Sequence, residues 1–275
     1  VWDESVRKYV PSNRKRFHDD YFSLLAQVEV GVTGKPWADD FFVTASYSKV
    51  DKELQTGSIQ TKVYGMAERN GSAYNVSAQY RKKDFLLKGL QMHSMLSHTW
   101  DYSLTVDTAY RVYDWNGDYI ESSRNEITGR ERSLRHYKRP TTMFRSNWDY
   151  RFNPQHAVNL NYLVNRTGND RYDEVDSSFE PSNDVVCKHI IGLSYHQQLW
   201  QDKMENTFFV KDYVNHLNIR QTDLYWQTGS DKVKGESTGN YWGYGAGTRV
   251  SFWEPLALKA SFEHSVRLPL ARELL

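Results

Sequence analysis

Beyond its first twenty residues the chain alternates apolar and polar side chains in stretch after stretch. Phe22, Leu24, Ala26, Val28 and Val30 are interleaved with Ser23, Gln27 and Glu29, and Tyr74, Val76, Ala78 and Tyr80 with Asn75, Ser77 and Gln79. Near the other end, Leu256, Leu258, Ala260 and Phe262 alternate with Lys259 and Ser261. Strand side chains point to opposite faces with period two, so each stretch predicts a strand with one apolar and one polar face. Alternation and turn signals together predict an all-β chain of about twelve antiparallel, up-and-down strands and no helix. The expected spans are 21–31, 40–50, 59–68, 73–82, 86–98, 102–114, 141–152, 156–166, 187–199, 204–220, 240–252 and 256–267.

The connections alternate too. Tight turns are expected at Gly34-Lys35-Pro36, Asn70-Gly71-Ser72, Trp100-Asp101, Asn153-Pro154-Gln155, Gln201-Asp202-Lys203 and Trp253-Glu254-Pro255. Most carry the Gly, Pro, Asn or Asp that hairpin bends use. Long polar connections are expected at 51–58, 115–140, 167–186 and 221–239. Antiparallel strands then place every long loop at one end of the sheet and every tight turn at the other. The short link near Asp84 breaks that rhythm. The domain reading is a polar extension over 1–20 and one β-barrel segment over 21–275.

Two-faced strands fit both a soluble sandwich, with its apolar face inside, and a membrane barrel, with that face outside. Three features favour the barrel. Several predicted strands exceed the usual five or six residues. Aromatics sit beside the expected turns (Trp37, Trp100 with Tyr102, Tyr150 with Phe152, Trp200, and Phe252 with Trp253), where a membrane interface would place them. The polar face carries both charge signs, as in Asp107 with Arg111, in Arg145 with Asp149 and Arg151, and in Lys259 with Glu263. Composition agrees: 39% hydrophobic residues leave no apolar run long enough for a membrane helix, while a barrel strand needs only about 9–11 residues. The near-neutral charge of +1, dispersed along the chain, argues against nucleic acid, and a single cysteine, Cys187, excludes a disulfide framework.

The stretch Ser261-Phe262-Glu263-His264-Ser265-Val266-Arg267-Leu268-Pro269-Leu270-Ala271-Arg272-Glu273-Leu274 resembles the Arg-Leu-Pro-x-x-x-Glu-Leu signature of TonB-dependent outer-membrane receptors, carried here by Arg267, Leu268, Pro269, Glu273 and Leu274. Lys35-Pro36-Trp37-Ala38-Asp39 and the segment from Val106 to Trp115 are similar to early hairpins of the same barrels. The resemblance implies a barrel of about 22 strands closed by an N-terminal plug. It implies import of a siderophore, cobalamin or glycan with energy delivered through TonB, by ligand binding and gating rather than bond chemistry. The implied location is the outer membrane of a Gram-negative bacterium, and the implied partners are outer-membrane lipid, the plug, TonB and a small-molecule or glycan ligand. This chain shows no recognisable plug or TonB box and ends in Glu273-Leu274-Leu275, so it reads as an internal segment of the barrel.

No catalytic, metal or cofactor site is expected. The nine histidines form no His-Glu-x-x-His pair and no Cys/His zinc spacing. Asp39/Asp40, Asp173/Glu174 and Asp231/Glu236 lack the spacing of a calcium loop and read as solvated loop charge. Cys187 has no base beside it in sequence. Gly243, Gly245 and Gly247 strip side chains from the polar face of one strand, leaving room for a bend or for something packed on the wall, such as a plug. Candidate ligand groups are the loop aromatics Trp115, Tyr119, Tyr172 and Trp226, whose faces can stack on sugar rings or chelates. The alternative reading is a soluble extracellular β-sheet module that binds glycans through these aromatics.

Overall fold

The computed structural model describes residues 2–3, 7–9, 13–57, 60–219, 235–253 and 255–268. Its strands are β1 (Trp2–Asp3), β2 (Lys8–Tyr9), β3 (Tyr21–Lys35), β4 (Ala38–Glu53), β5 (Glu68–Lys82), β6 (Leu90–Asp107), β7 (Arg111–Tyr113), β8 (Tyr119–Glu121), β9 (Ser133–Lys138), β10 (Thr141–Asn153), β11 (His156–Asp173), β12 (Ser182–Leu199), β13 (Met204–Ile219), β14 (Gly235–Trp253) and β15 (Leu256–His264). One eleven-stranded antiparallel sheet holds β3 to β6 and β9 to β15, in the order β15-β14-β13-β12-β11-β10-β6-β5-β4-β3. Strand β9 continues β10 past a break at Arg139-Pro140 and pairs with the same two neighbours, β6 and β11. Proline has no N–H for the ladder, so the single wall strand is recorded as two pieces. The fold is an all-β, up-and-down partial barrel, as the alternation predicts.

The strand boundaries correct three expectations. No strand occupies 60–67, where Val63 makes only isolated bridges to Thr56 and Tyr113. Asn70-Gly71-Ser72 is not a turn but lies within β5, paired with Asp51, Val50 and Lys49 on one side and with Leu104, Ser103 and Tyr102 on the other. Trp100-Asp101 likewise lies inside β6, which runs unbroken through both strands predicted there. Neighbours on both flanks satisfy the backbone of these residues, and that outweighs local turn preference. With both false turns removed, the link at Asp84 becomes an ordinary short turn between β5 and β6. The rhythm of short and long connections is then uninterrupted.

Register assigns every side chain to a face. Val28, Ala45, Val76 and His98 are opposed along one row, as are Val30, Val43, Ala78, Leu96, Phe144 and Val164 along another, and all belong to the apolar face. No described residue covers that face. Val28 is 63% exposed, Val76 46%, Leu193 47% and Leu258 63%. Buried apolar side chains among the described residues are few (Ala38, Val63, Tyr64, Ala67, Ala157, Val186 and Tyr213), while many buried groups are polar. A sandwich would show the reverse.

The polar face is built from hydrogen-bonded side chains. Asn147 donates to Asn161 (2.6 Å), and Asn159 donates back to Asn147 (3.2 Å). Lys211 meets Glu263 at 3.3 Å, Thr44 donates to Glu29 at 2.8 Å, and Arg81 pairs with Asp40. Gly245 and Gly243 lie on this face opposite Phe209 and Lys211. A Cβ on Gly245 would sit 2.5 Å from the Phe209 ring and 2.6 Å from the Phe262 carbonyl oxygen, and one on Gly243 would sit 3.1 Å from the Tyr213 ring. The space that Gly245 and Gly243 leave is therefore filled by aromatic rings of the neighbouring strand β13, whereas a Cβ on Gly247 would meet only the Ser261 Cβ and the Ala260 carbonyl oxygen at 3.8–3.9 Å. Gly31 under Phe42 repeats the device at the other edge.

Aromatic residues form two rows on the apolar side. The turn-end row includes Trp37 against Phe41 (5.8 Å), Tyr80 against Phe85 (6.3 Å), Phe85 against Trp148 (5.5 Å) and Tyr195 against Phe208 (6.4 Å). Trp200, Phe252 and Trp253 stand exposed at the same end. Trp100 does not join them. It belongs to the second row with Tyr74 and Tyr47, the last two with ring centres 4.8 Å apart. Along β5 the rows are six residues apart, about 20 Å at roughly 3.3 Å per residue.

Candidate functional site at the long-loop end

The connections 54–67 and 108–132 fold onto one another at the long-loop end and make the best-buried part of the described chain. Gln55 organises the first: its Oε1 accepts from the backbone N–H of Phe17 (2.8 Å) and His18 (2.9 Å), and its Nε2 donates to the Tyr64 carbonyl (2.9 Å). Asp107, at the end of β6, organises the second by accepting from the backbone N–H of Glu126, Ile127 and Thr128 at 2.9–3.3 Å. Glu126 joins the two loops, its Oε2 accepting from the N–H of Gly65 (3.2 Å) and Met66 (3.1 Å). Its Oε1 is buried with no hydrogen-bond partner among the described residues. Burial first, and then the nearby Asp107 charge, push the Glu126 carboxyl above its ordinary range against the pull of those N–H donors.

On the polar face below these loops lies a mouth of clamped arginines. Arg135 Nε is 3.3 Å from Asp173 Oδ2 and its guanidinium lies 3.9 Å over the Phe179 ring. Arg171 donates to Ser182 Oγ (2.9 Å) and approaches Asp184 (3.8 Å). Asp173 also accepts from Ser133 Oγ (2.5 Å) and Leu134 N–H (3.1 Å). Sequence reasoning missed Arg135 because 115–140 reads as a polar loop. The strand signal there was six residues long, Ser133 to Lys138, ending at the Arg139-Pro140 break.

Of the predicted ligand aromatics, Tyr119 and Tyr172 pack on different partners. Trp115 and Tyr119 belong to the small β7–β8 hairpin, where Tyr119 packs against Tyr113 (5.4 Å) and under the Arg111 guanidinium (4.1 Å). Tyr172, near the end of β11, is on the apolar side of the sheet and stacks on His136 (4.5 Å, 4° between planes). His136 in turn bonds Tyr102 Oη through Nδ1 (2.6 Å) and Glu174 Oε2 through Nε2 (3.1 Å). A carboxylate only accepts, so Nε2 carries the proton. Trp226 lies outside the described residues, as do Pro269, Glu273 and Leu274 of the signature, while Arg267 and Leu268 follow β15 as irregular chain.

Cys187 does have a base beside it. Its Sγ is 3.4 Å from His189 Nε2, two residues along the same face, and His189 Nδ1 is 3.0 Å from Tyr162 Oη. Both residues stand on the apolar face, away from the polar mouth. Among the described residues no group of three or more His, Cys, Asp or Glu is placed to hold a metal ion. What the mouth can offer is oriented hydrogen bonding and charge.

No protein-family model matches the chain, and no curated protein matches it in sequence. Among solved structures it is similar to the FrpB iron transporter from Neisseria meningitidis (F5-1 variant, apoprotein form), with a TM-score of 0.59 and 12% identity over 90% of this chain. The match covers 36% of the FrpB chain, so this chain spans about a third of that length. At that identity the likeness shows the fold alone, an up-and-down antiparallel β wall.

Proposed function

We propose that the chain forms part of the wall of an outer-membrane importer, working by ligand binding and gating in a TonB-dependent way. The observation that carries the reading is the uncovered apolar face, continuous across the sheet and flanked by two aromatic rows. Monomeric soluble proteins rarely leave such a face open, whereas a barrel in lipid requires it with an apolar band about 25 Å tall. The same observation weighs against a soluble glycan-binding module. The polar face then lines a hydrated lumen, and the arginine mouth and folded loops stand at its entrance. The likeness to an iron transporter makes an iron chelate the first nutrient to test, ahead of cobalamin or glycan.

The test is made in the source bacterium with the gene for the full-length protein deleted. Growth on a panel of iron chelates under iron limitation should be lost for at least one chelate. It should return with the wild-type gene only when TonB is present. Rescue without TonB would remove the energy coupling from the proposal, and recovery of the protein away from the outer-membrane fraction would remove the location.

A further inference from the structure

We propose that Lys52 and Arg69, side by side on the polar face at the long-loop end, form the seat for an anionic iron chelate. The inference rests on the reading that this face lines the lumen of an importer whose cargo is an iron chelate. Lys52 on β4 and Arg69 on β5 are direct cross-strand partners, and both are exposed. Like charges directly opposite one another destabilise a strand pair. Neither cation forms an ion pair among the described residues. The carboxylates next to them in sequence, Glu53 and Glu68, oppose each other on the other face of the sheet, where Glu53 meets His18 at 3.3 Å. On β6, Asp107 is occupied by the amides of Glu126, Ile127 and Thr128, and Asp101 lies four residues below the row, about 13 Å along the strand. The wall itself therefore leaves this pair of charges unneutralised.

The other cations of the mouth are engaged. The row of Lys52 and Arg69 runs on through Thr105 to Arg135, which Asp173 holds at 3.3 Å. Arg171 donates to Ser182 Oγ, and Arg139 donates to Asn169 Oδ1 at 3.2 Å. Beneath the pair the wall is low. The next polar-face row toward the tight turns carries Val50, Gly71 and Ser103. A Cβ on Gly71 would meet only the Tyr102 carbonyl oxygen at 3.6 Å and the Ser103 Cβ at 4.0 Å, so this glycine leaves open wall rather than relieving a clash. A ligand body resting there places its oxygens within reach of both cations. Carboxylate or catecholate oxygens accept charge-assisted hydrogen bonds from the Lys52 ammonium and paired ones from the planar Arg69 guanidinium. The charge of the ligand then supplies the neutralisation that the wall lacks.

The full-length protein, purified in detergent, is titrated with two ferric chelates, an anionic tris-catecholate and a neutral tris-hydroxamate, and binding is read by quenching of tryptophan fluorescence. The anionic chelate should bind at least about 10-fold more tightly, and Lys52→Gln and Arg69→Gln should each weaken it by about 10-fold or more. Lys52→Arg should keep it. Without ligand, both Gln variants should melt at a higher temperature than the wild type, because each removes the opposition of like charges. A pair kept for the wall's own sake would lose stability instead, and that result overturns the proposal. The band shift of unheated samples on gels establishes that each variant is folded. Equal affinity for the two chelates, no binding of the anionic one, or full affinity in the folded Lys52→Gln/Arg69→Gln double variant also overturns it. So does displacement of the chelate by millimolar inorganic phosphate, which would mark a site for the free oxyanion. A protein that supports TonB-dependent growth on a neutral chelate alone defeats this inference and leaves the importer reading standing. One that supports growth on no chelate, or stays out of the outer-membrane fraction, defeats the reading beneath it.

Discussion

Glu126 shows how one side chain can govern two loops. Its carboxyl is raised mainly by burial, so the folded loops prefer it protonated. The sign follows by linkage: the stability this group contributes is fully present below its unfolded pKa of about 4.3 and is lost as pH rises through the higher folded value. Hydrogen-exchange protection of the Gly65 and Met66 amides, corrected for intrinsic rates, should therefore fall as the pH rises above the ordinary carboxylate range. Glu126→Gln keeps the acceptor oxygen and should flatten that dependence. A wild-type profile independent of pH would refute the account. Gly245 makes a residue-scale prediction of another kind. Gly245→Val would drive a Cβ into the Phe209 ring and against the Phe262 carbonyl. Overpacking against backbone should cost about 1–3 kcal/mol in urea unfolding.

Among the elements, the strands are defined by their two faces and the turns by their backbone. Val76 lies between the two aromatic rows on the apolar face, and Gln79 lies on the polar face of the same strand. Val76→Arg should destabilise the protein folded into vesicles by about 2–4 kcal/mol, while Gln79→Arg should change little. Equal effects would mean that lipid does not distinguish the faces. The β12–β13 turn is strained in a legible way, since Trp200, Gln201 and Asp202 all have positive φ (54°, 54° and 68°). Left-handed backbone is costly for residues with a Cβ, so Gln201→Gly should raise stability by about 0.5–1 kcal/mol, measured in the same unfolding assay.

For the whole molecule, topology separates two ends and leaves two edges. Loops 54–67, 108–132 and 174–181 share one end, and the tight turns share the other. In intact cells a membrane-impermeant maleimide should label Tyr119→Cys and spare Gln155→Cys, with Cys187 replaced by Ser. The opposite pattern would invert the orientation. Strands β3 and β15 end the sheet with their residues exposed and no described strand beyond them. Unpaired edges of that length template further pairing.

Alternation alone determined the fold class, the two faces and most strand positions, because a strand's period of two is a local property that burial of either sign preserves. The uninterrupted β5 and β6, the hidden β9 and the true place of Trp100 were decided by tertiary structure. Asn70-Gly71 has the chemistry of a bend, and only partners on both sides hold it extended. Which face stays uncovered was also beyond the sequence, since the same pattern serves a sandwich and a barrel until the strands are paired. The loop aromatics were visible as residues but not as a group: Tyr172 stacks on His136 on the apolar side, and Tyr119 packs on its own hairpin. Convergence depends on how loops and strand ends fold in space, and no local period encodes that.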